Sequence, residues 1–306
     1  MIRLPQHGIA PVLLLAALLC AFSWGPAAVL AQDPGPAEGT GQPEAGGGEG
    51  EGEGLKIAWQ KGPGVGKLGA IAEVAIPEGC LFAGAEDTKR IMTAFGNPVS
   101  GNELGYVSPA DNKWFVVFEF KDDGYVKDDE KDSLDHPAML KSIIAGNEAG
   151  NEERKRRGWP TLTITGWEVP PKYDAESHNL EWGIRGNSEG SQVVNYSVRI
   201  LGRTGVMQAD LVLEPDLLAT AMPAFRDLLE GYAFSTGNQY SEFKSGDKIA
   251  QYTLTALVTG TGIAVAAKTG LLALLGKYIK YVLLGVLAIG VALKKFVLRL
   301  FGVKTE

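Results

Sequence analysis

The chain reads as α+β: a mainly antiparallel sheet flanked by helices, followed by a C-terminal transmembrane helix. Three features lead there. Four strand patterns follow one another between residues 162 and 213, and a link as short as Gly202-Arg203-Thr204-Gly205 forces antiparallel neighbours. Helical patterns stand before and after these strands instead of alternating with them. From Ile249 onward the sequence turns hydrophobic.

Taken in order, residues 1–31 carry Arg3, an apolar run from Ile9 to Phe22, and the exit Val29-Leu30-Ala31. Together these describe a signal peptide cleaved after Ala31, the apolar run being short for a lasting span. Leu19 before Cys20 does not fit a lipoprotein signal. Residues 32–54 are Gly, Pro and Glu with almost nothing to bury, so they form a disordered tether with a reach on the order of 25 Å.

The domain proper is expected over residues 55–243. Ala70–Ile76 reads as a strand closed by Pro77-Glu78-Gly79, after a flexible lead-in. Asp87 caps a short helix carrying Ile91, Met92 and Phe95 and ended by Gly96. Trp114–Phe120 is continuously apolar but for Glu119, and its β-branched and aromatic content suits a central strand. Asp135 caps a helix with Pro137 in its first turn, running to about Arg157, with Leu140, Ile143 and Ile144 as its stripe. Glu152–Arg156 and Glu153–Arg157 would pair on its exposed side.

Strands then fall on Leu162–Ile164, Leu180–Ile184, Val194–Ile200 and Val206–Leu213. A helix around Pro223–Glu230 and a strand Tyr232–Phe234 close the domain. Residues 244–306 form a membrane anchor with a basic tail. Ile249–Ala267 is uncharged, and a shorter apolar run spans Tyr281–Leu293. A single span keeps the tail's Lys294, Lys295, Arg299 and Lys304 in the cytoplasm, whereas two spans would export them. Ala256, Gly260, Gly262, Ala266 and Gly270 would allow close helix packing.

Charge supports this division. The net charge is −7, but residues from Lys244 onward hold nine Lys and Arg against Asp247 and Glu306, leaving −14 for the rest. An acidic body is a poor partner for nucleic acid, which binds through neutralised phosphates. With the leader removed, Cys80 is the remaining cysteine, so the fold rests on its core without an internal disulfide. Cys80, in IPEGCLF, reads as a buried apolar filler.

Apparent catalytic motifs dissolve on inspection. GPGVGKLG (62–69) lacks the P-loop's first glycine, where Lys61 stands, and its Ser or Thr, where Leu68 stands. It also holds G-x-G-x-x-G, but without a strand before or a helix after it, so no nucleotide is expected. GNSEG (186–190) matches the nucleophile-elbow pattern, yet Ser188 sits in a hairpin between strands, and the mature chain offers only His136 and His178 as bases. That scarcity also argues against zinc.

Two clusters are left. Asn195, Arg199 and Arg203 share a parity on or near one strand and could bind an anion or a partner, and a solvent-facing sheet surface explains them equally well. In the acidic run 122–135, Asp122, Asp123, Asp128 and Asp129 could hold calcium or serve hydrolysis, although no Gly follows Asp132 and no Glu closes the loop. A solvated loop capping the next helix is the competing reading.

The phrases GN-P (96–98), GYVKDDEKD (124–132), NEERKRRGWP (151–160), GWEVPPKYD (166–174), VNYSVRILGR-G (194–205) and GDKIAQYTLTALVTG (246–260) appear in one order. In that order and phrasing the chain resembles the membrane-anchored bacterial proteins of domain of unknown function 2167, over about residues 62 to 275. The resemblance implies an inner-membrane protein whose main domain faces the periplasm. It assigns no reaction and no catalytic residues. By further analogy the domain resembles the Mog1 and PsbP type of α/β/α sandwich. The expectation is a non-enzymatic module, bound to the membrane by its C-terminal helix and to an envelope protein or component, without cofactor. The carboxylate site with calcium is the alternative.

Overall fold

The computed structural model describes residues 55–260 except Gly96, Pro98, Arg157 and Trp159. The expected leader, tether, second apolar run and basic tail lie outside the described residues. Eleven strands and four helices make up the body. The strands are β1 (Gln60–Lys61), β2 (Gly64–Leu68), β3 (Ala72–Ile76), β4 (Cys80–Gly84), β5 (Glu103–Pro109) and β6 (Trp114–Lys121), followed by β7 (Thr163–Asp174), β8 (Asn179–Ser188), β9 (Ser191–Leu201), β10 (Val206–Leu213) and β11 (Tyr232–Phe234). The helices are α1 (Ala85–Ala94), α2 (His136–Arg156), α3 (Leu218–Glu230) and α4 (Leu254–Thr259).

Eight strands form one sheet in the order β1-β4-β5-β6-β10-β9-β8-β7, every neighbouring pair antiparallel. After β6 the chain runs through α2 to the far edge and returns by three hairpins, so β10 closes against β6. Two of these turns explain the local register. Glu189 and Gly190 have φ of 50° and 87°, the left-handed pair that a two-residue hairpin requires. At Gly205 a Cβ would lie 2.0 Å from the carbonyl oxygen of Lys121, so only glycine lets the β9–β10 link pass β6. Strands β11, β3 and β2 form a smaller antiparallel sheet.

Both faces of the large sheet are covered. Ile91 and Met92 of α1, Met139 and Ile143 of α2, and Leu254 and Val258 of α4 join the cluster on one face with Phe115, Val117, Trp182 and Val212. Ala221, Phe225 and Leu228 of α3 join Leu68, Val74 and Ile76 of the small sheet on the other, against Val116, Phe118, Val198 and Leu211. The α+β class with a mainly antiparallel sheet and flanking helices is therefore correct, the second face carrying a small sheet beside its helix.

Several local expectations need correction. GPGVGKLG is no flexible lead-in, because Gly64–Leu68 pairs with Ala72–Ile76 as β2. Glycine serves packing there: a Cβ on Gly66 would sit 2.7 Å from the Phe82 ring. Helix α1 begins two residues before Asp87, whose carboxylate instead accepts the Ala58 N–H at 2.9 Å and pairs with Arg90. Asp135 does cap α2, accepting the Ala138 N–H at 3.0 Å. The pairs on α2 run i,i+3, Glu152 with Lys155 and Glu153 with Arg156. Helix α3 starts at Leu218 and holds Pro223 within it. Strands β4 and β5 were not anticipated.

The body continues past residue 243. Residues 244–259 form a strap that returns to the sheet, and Leu254 and Val258 of α4 are buried in its core. Thus the uncharged run from Ile249 begins inside the fold, and α4 ends at Gly260 in the left-handed conformation, φ 65°. Among the described residues no helix is long and apolar enough to cross a membrane.

Candidate functional site

The first consequence of this packing is a charged row inside the sheet. Side chains alternate between faces along a strand, and register brings Glu103, Glu119, Gln208 and Arg199 side by side across β5, β6, β10 and β9. Asp210 and Ser197 face each other one step along. All six are buried, with Asn195 beside them. They lie on the face that carries α1, α2 and α4.

The expected solvent-facing surface is therefore corrected. Asn195 and Arg199 alternate with Val194, Tyr196, Val198 and Ile200, but β9 is covered on both sides. Its polar residues answer one another. Arg199 Nη1 donates to Asp210 Oδ1 at 2.9 Å, Ser197 Oγ donates to the same oxygen at 2.5 Å, and the guanidinium lies 4.9 Å from the Trp182 ring centroid. Such charge-assisted bonds are what allow two charges to stay buried.

The other end of the row is acidic. Glu103 accepts backbone N–H groups from Ser100 at 2.5 Å and Gly101 at 2.8 Å, with the Ser100 hydroxyl at 2.9 Å. The same hydroxyl reaches Glu119 at 3.5 Å. Burial first, then the charges of Asp210 and Glu103, push the Glu119 carboxyl up to about 7, with Lys121 and Arg199 acting against them. Lys121 is shifted down, by burial and then by Arg199. Chemically the row can hold or release one proton near neutral pH.

The second consequence is the fastening of the strap. Arg203 clamps Asp247 with Nε at 2.7 Å and Nη2 at 2.8 Å. The Tyr125 N–H donates to the Lys248 carbonyl at 2.8 Å, and the Ala250 N–H donates to the Tyr125 carbonyl at 2.9 Å. Tyr252 donates its hydroxyl to Asp123 at 3.2 Å, and Glu130 accepts the Thr255 N–H at 3.1 Å. Burial, followed by Asp123, raises the Tyr252 phenol, while Arg199 opposes the shift, so this ring sits within the field of the charged row.

These contacts place the acidic loop. Asp123 and Glu130 hold the strap, Asp122 accepts Lys248 Nζ through its carbonyl at 3.2 Å, and Asp128 accepts the Tyr173 hydroxyl at 3.2 Å while Asp129 is exposed. Among the described residues no group of three or more His, Cys, Asp or Glu is arranged to hold a metal ion. Nothing local in the sequence announced the strap. Its partners stand far apart, Arg203 and Asp247 by 44 residues and Glu130 and Thr255 by 125.

The remaining motifs are structural. Ser188 is buried and pairs with Ser191 at the end of a hairpin. Cys80 is buried in β4, and burial raises its thiol. His178 stacks on Tyr240 at 4.3 Å and Tyr240 on Tyr125 at 4.4 Å, and Phe243 follows at 4.3 Å from Tyr125.

Comparison with known proteins gives one sequence match. The profile of the family described as "Protein of unknown function (DUF2167)" matches residues 60–290. No curated protein matches the sequence. Among solved structures, PsbP (CyanoP) from Synechocystis sp. is similar at 10% identity and a TM-score of 0.32, covering 62% of this chain and 98% of its own. The Ran-binding protein Mog1p from Saccharomyces cerevisiae is similar at 8% identity and a TM-score of 0.29, covering 62% and 100%. At these scores neither likeness adds to the architecture described above.

Proposed function

The chain belongs to the DUF2167 family, and we propose that it is a membrane-tethered protein of the bacterial cell envelope, whose folded domain acts in the periplasm as a non-enzymatic module binding a protein or envelope component. The strap carries this reading. It holds residues 244–259 to the body by an ion pair, backbone bonds and buried Leu254 and Val258, and the apolar run that starts at Ile249 continues in the sequence beyond it.

The charged row supports a binding role over a catalytic one. Ser197 lies against Asp210 in the interior, and the His178 ring packs on Tyr240. A partner would meet the outer surface of the covering elements and leave Arg199 inside.

The test is in-cell crosslinking of the full-length protein beside a copy in which everything after Gly260 is replaced by an unrelated span. The junction must follow Gly260, because an earlier one would remove Leu254 and Val258 from the core. One stoichiometric partner recovered with both forms supports a module acting through its domain. Recovery with the native anchor alone would move the function into the membrane, and absence from the membrane fraction would overturn the tethered reading.

A further inference from the structure

Four large hydrophobic side chains are exposed among the described residues: Leu55, Val65, Phe243 and Ile249. The last two are neighbours in space, because Tyr125 holds both. Its ring meets Phe243 at 4.3 Å, and its backbone forms a parallel bridge with Ile249. Phe243 and Ile249 are 37% and 38% exposed. Lys244 and Lys248 are exposed beside them, Lys248 Nζ also donating to the Asp122 carbonyl at 3.2 Å, while Asp247 between the two is paired with Arg203.

We propose that this patch of the strap rests on the lipid bilayer, Phe243 and Ile249 entering the interfacial region and Lys244 and Lys248 meeting lipid phosphates. This rests on the anchored reading above. The occupant is argued from where the chain goes next. Ten residues, six of them in α4, separate Ile249 from Gly260, so the patch lies within about 30 Å of Gly260, beyond which the apolar run continues in the sequence. Residues 261–293 carry only Lys268, Lys277 and Lys280 as charged side chains. An aromatic and an aliphatic side chain flanked by lysines is the composition that partitions to a membrane interface. Behind Phe243 the rings of Tyr125, Tyr240 and His178 pack one on the next.

The experiment uses the full-length chain with Cys20→Ser and Cys80→Ala, reconstituted in nanodiscs of phosphatidylcholine with added phosphatidylglycerol. A spin label is placed by Phe243→Cys, by Ile249→Cys as an independent second site, and by Val65→Cys as a reference. Accessibility is then read with oxygen, which concentrates in lipid, and with a water-soluble nickel chelate. The oxygen-to-nickel ratio is expected to rise severalfold at residues 243 and 249 over residue 65. Protein that enters the discs but gives equal ratios at all three sites overturns the docking and leaves the anchor standing. Labels shielded from both reagents would mean a protein covers the patch, which also overturns it. A chain that fails to enter the discs removes the anchored reading and this proposal with it.

Discussion

Arg203 grips both carboxylate oxygens of Asp247 with one edge of its guanidinium, Nε at 2.7 Å and Nη2 at 2.8 Å, and so ties the β9–β10 link to the strap. The Arg203 hydrogen bonds, followed by the Lys244 backbone N–H, hold the Asp247 carboxyl down to about 2. Because the folded value is depressed, this group's stabilisation is present above its ordinary value near 3.8 and is lost as pH falls towards 2. Arg203→Ala should therefore speed tryptic cleavage at Lys244 and Lys248 at neutral pH. The difference from wild type should vanish at the acid end of the titration, read there with an acid-active protease.

Gly124 makes a related prediction. It has φ of 108°, and a Cβ on it would lie 2.7 Å from the Lys248 carbonyl and 3.0 Å from the Ala250 nitrogen. Gly124→Ala meets both the strained backbone and the collision, so it should release the strap while β6 and β10 persist. Hydrogen exchange that rises over residues 246–252 with the sheet unchanged is the expected pattern.

Arg199 and Asp210 test the charged row. Removing one member of a buried pair leaves the other uncompensated, at on the order of 3–5 kcal/mol. Arg199→Met and Asp210→Leu should each lower the urea midpoint strongly, and the double variant should lose less than the two single losses added together.

Glu119 gives the row a pH signature. Its carboxyl is raised from 4.5 to about 7, so between these values the folded state holds a proton the unfolded chain has released. Stability from this group therefore falls as pH rises through that window, by roughly 3 kcal/mol in all. Glu119→Gln removes the titration: it should stabilise the protein at pH above 7 and change little below 4.5. A variant whose melting temperature tracks wild type at every pH would contradict this assignment.

These residues also show what the sequence discloses. The hairpins from β8 to β10 were legible because every partner is near in sequence and Glu189-Gly190 spells its own turn. The polar alternation on β9 misled for a physical reason. Period two reports that Asn195, Ser197 and Arg199 share a face, but not whether that face meets water. The answer lies with the covering helices and with Asp210 on the next strand. The strap was hidden in the same way. Leu254 and Val258 sit in an uncharged run that composition assigns to lipid, and only their contacts with the body assign them to the core. Strand β4 has only five residues after Gly79, and β5 carries Gly105 within it and ends on Pro109, with no alternation to mark either.

Residues 244–259 belong to the folded body, although the apolar run has already begun at Ile249. Amide hydrogen exchange on the full-length protein tests it most directly, at Ala250, bonded to the Tyr125 carbonyl, and Thr255, bonded to Glu130. Both should be protected as strongly as ladder amides of β9 and β10. Exchange of both at the rate of free amides, while the ladder stays protected, would show the strap to be a loose linker and would contradict that placement.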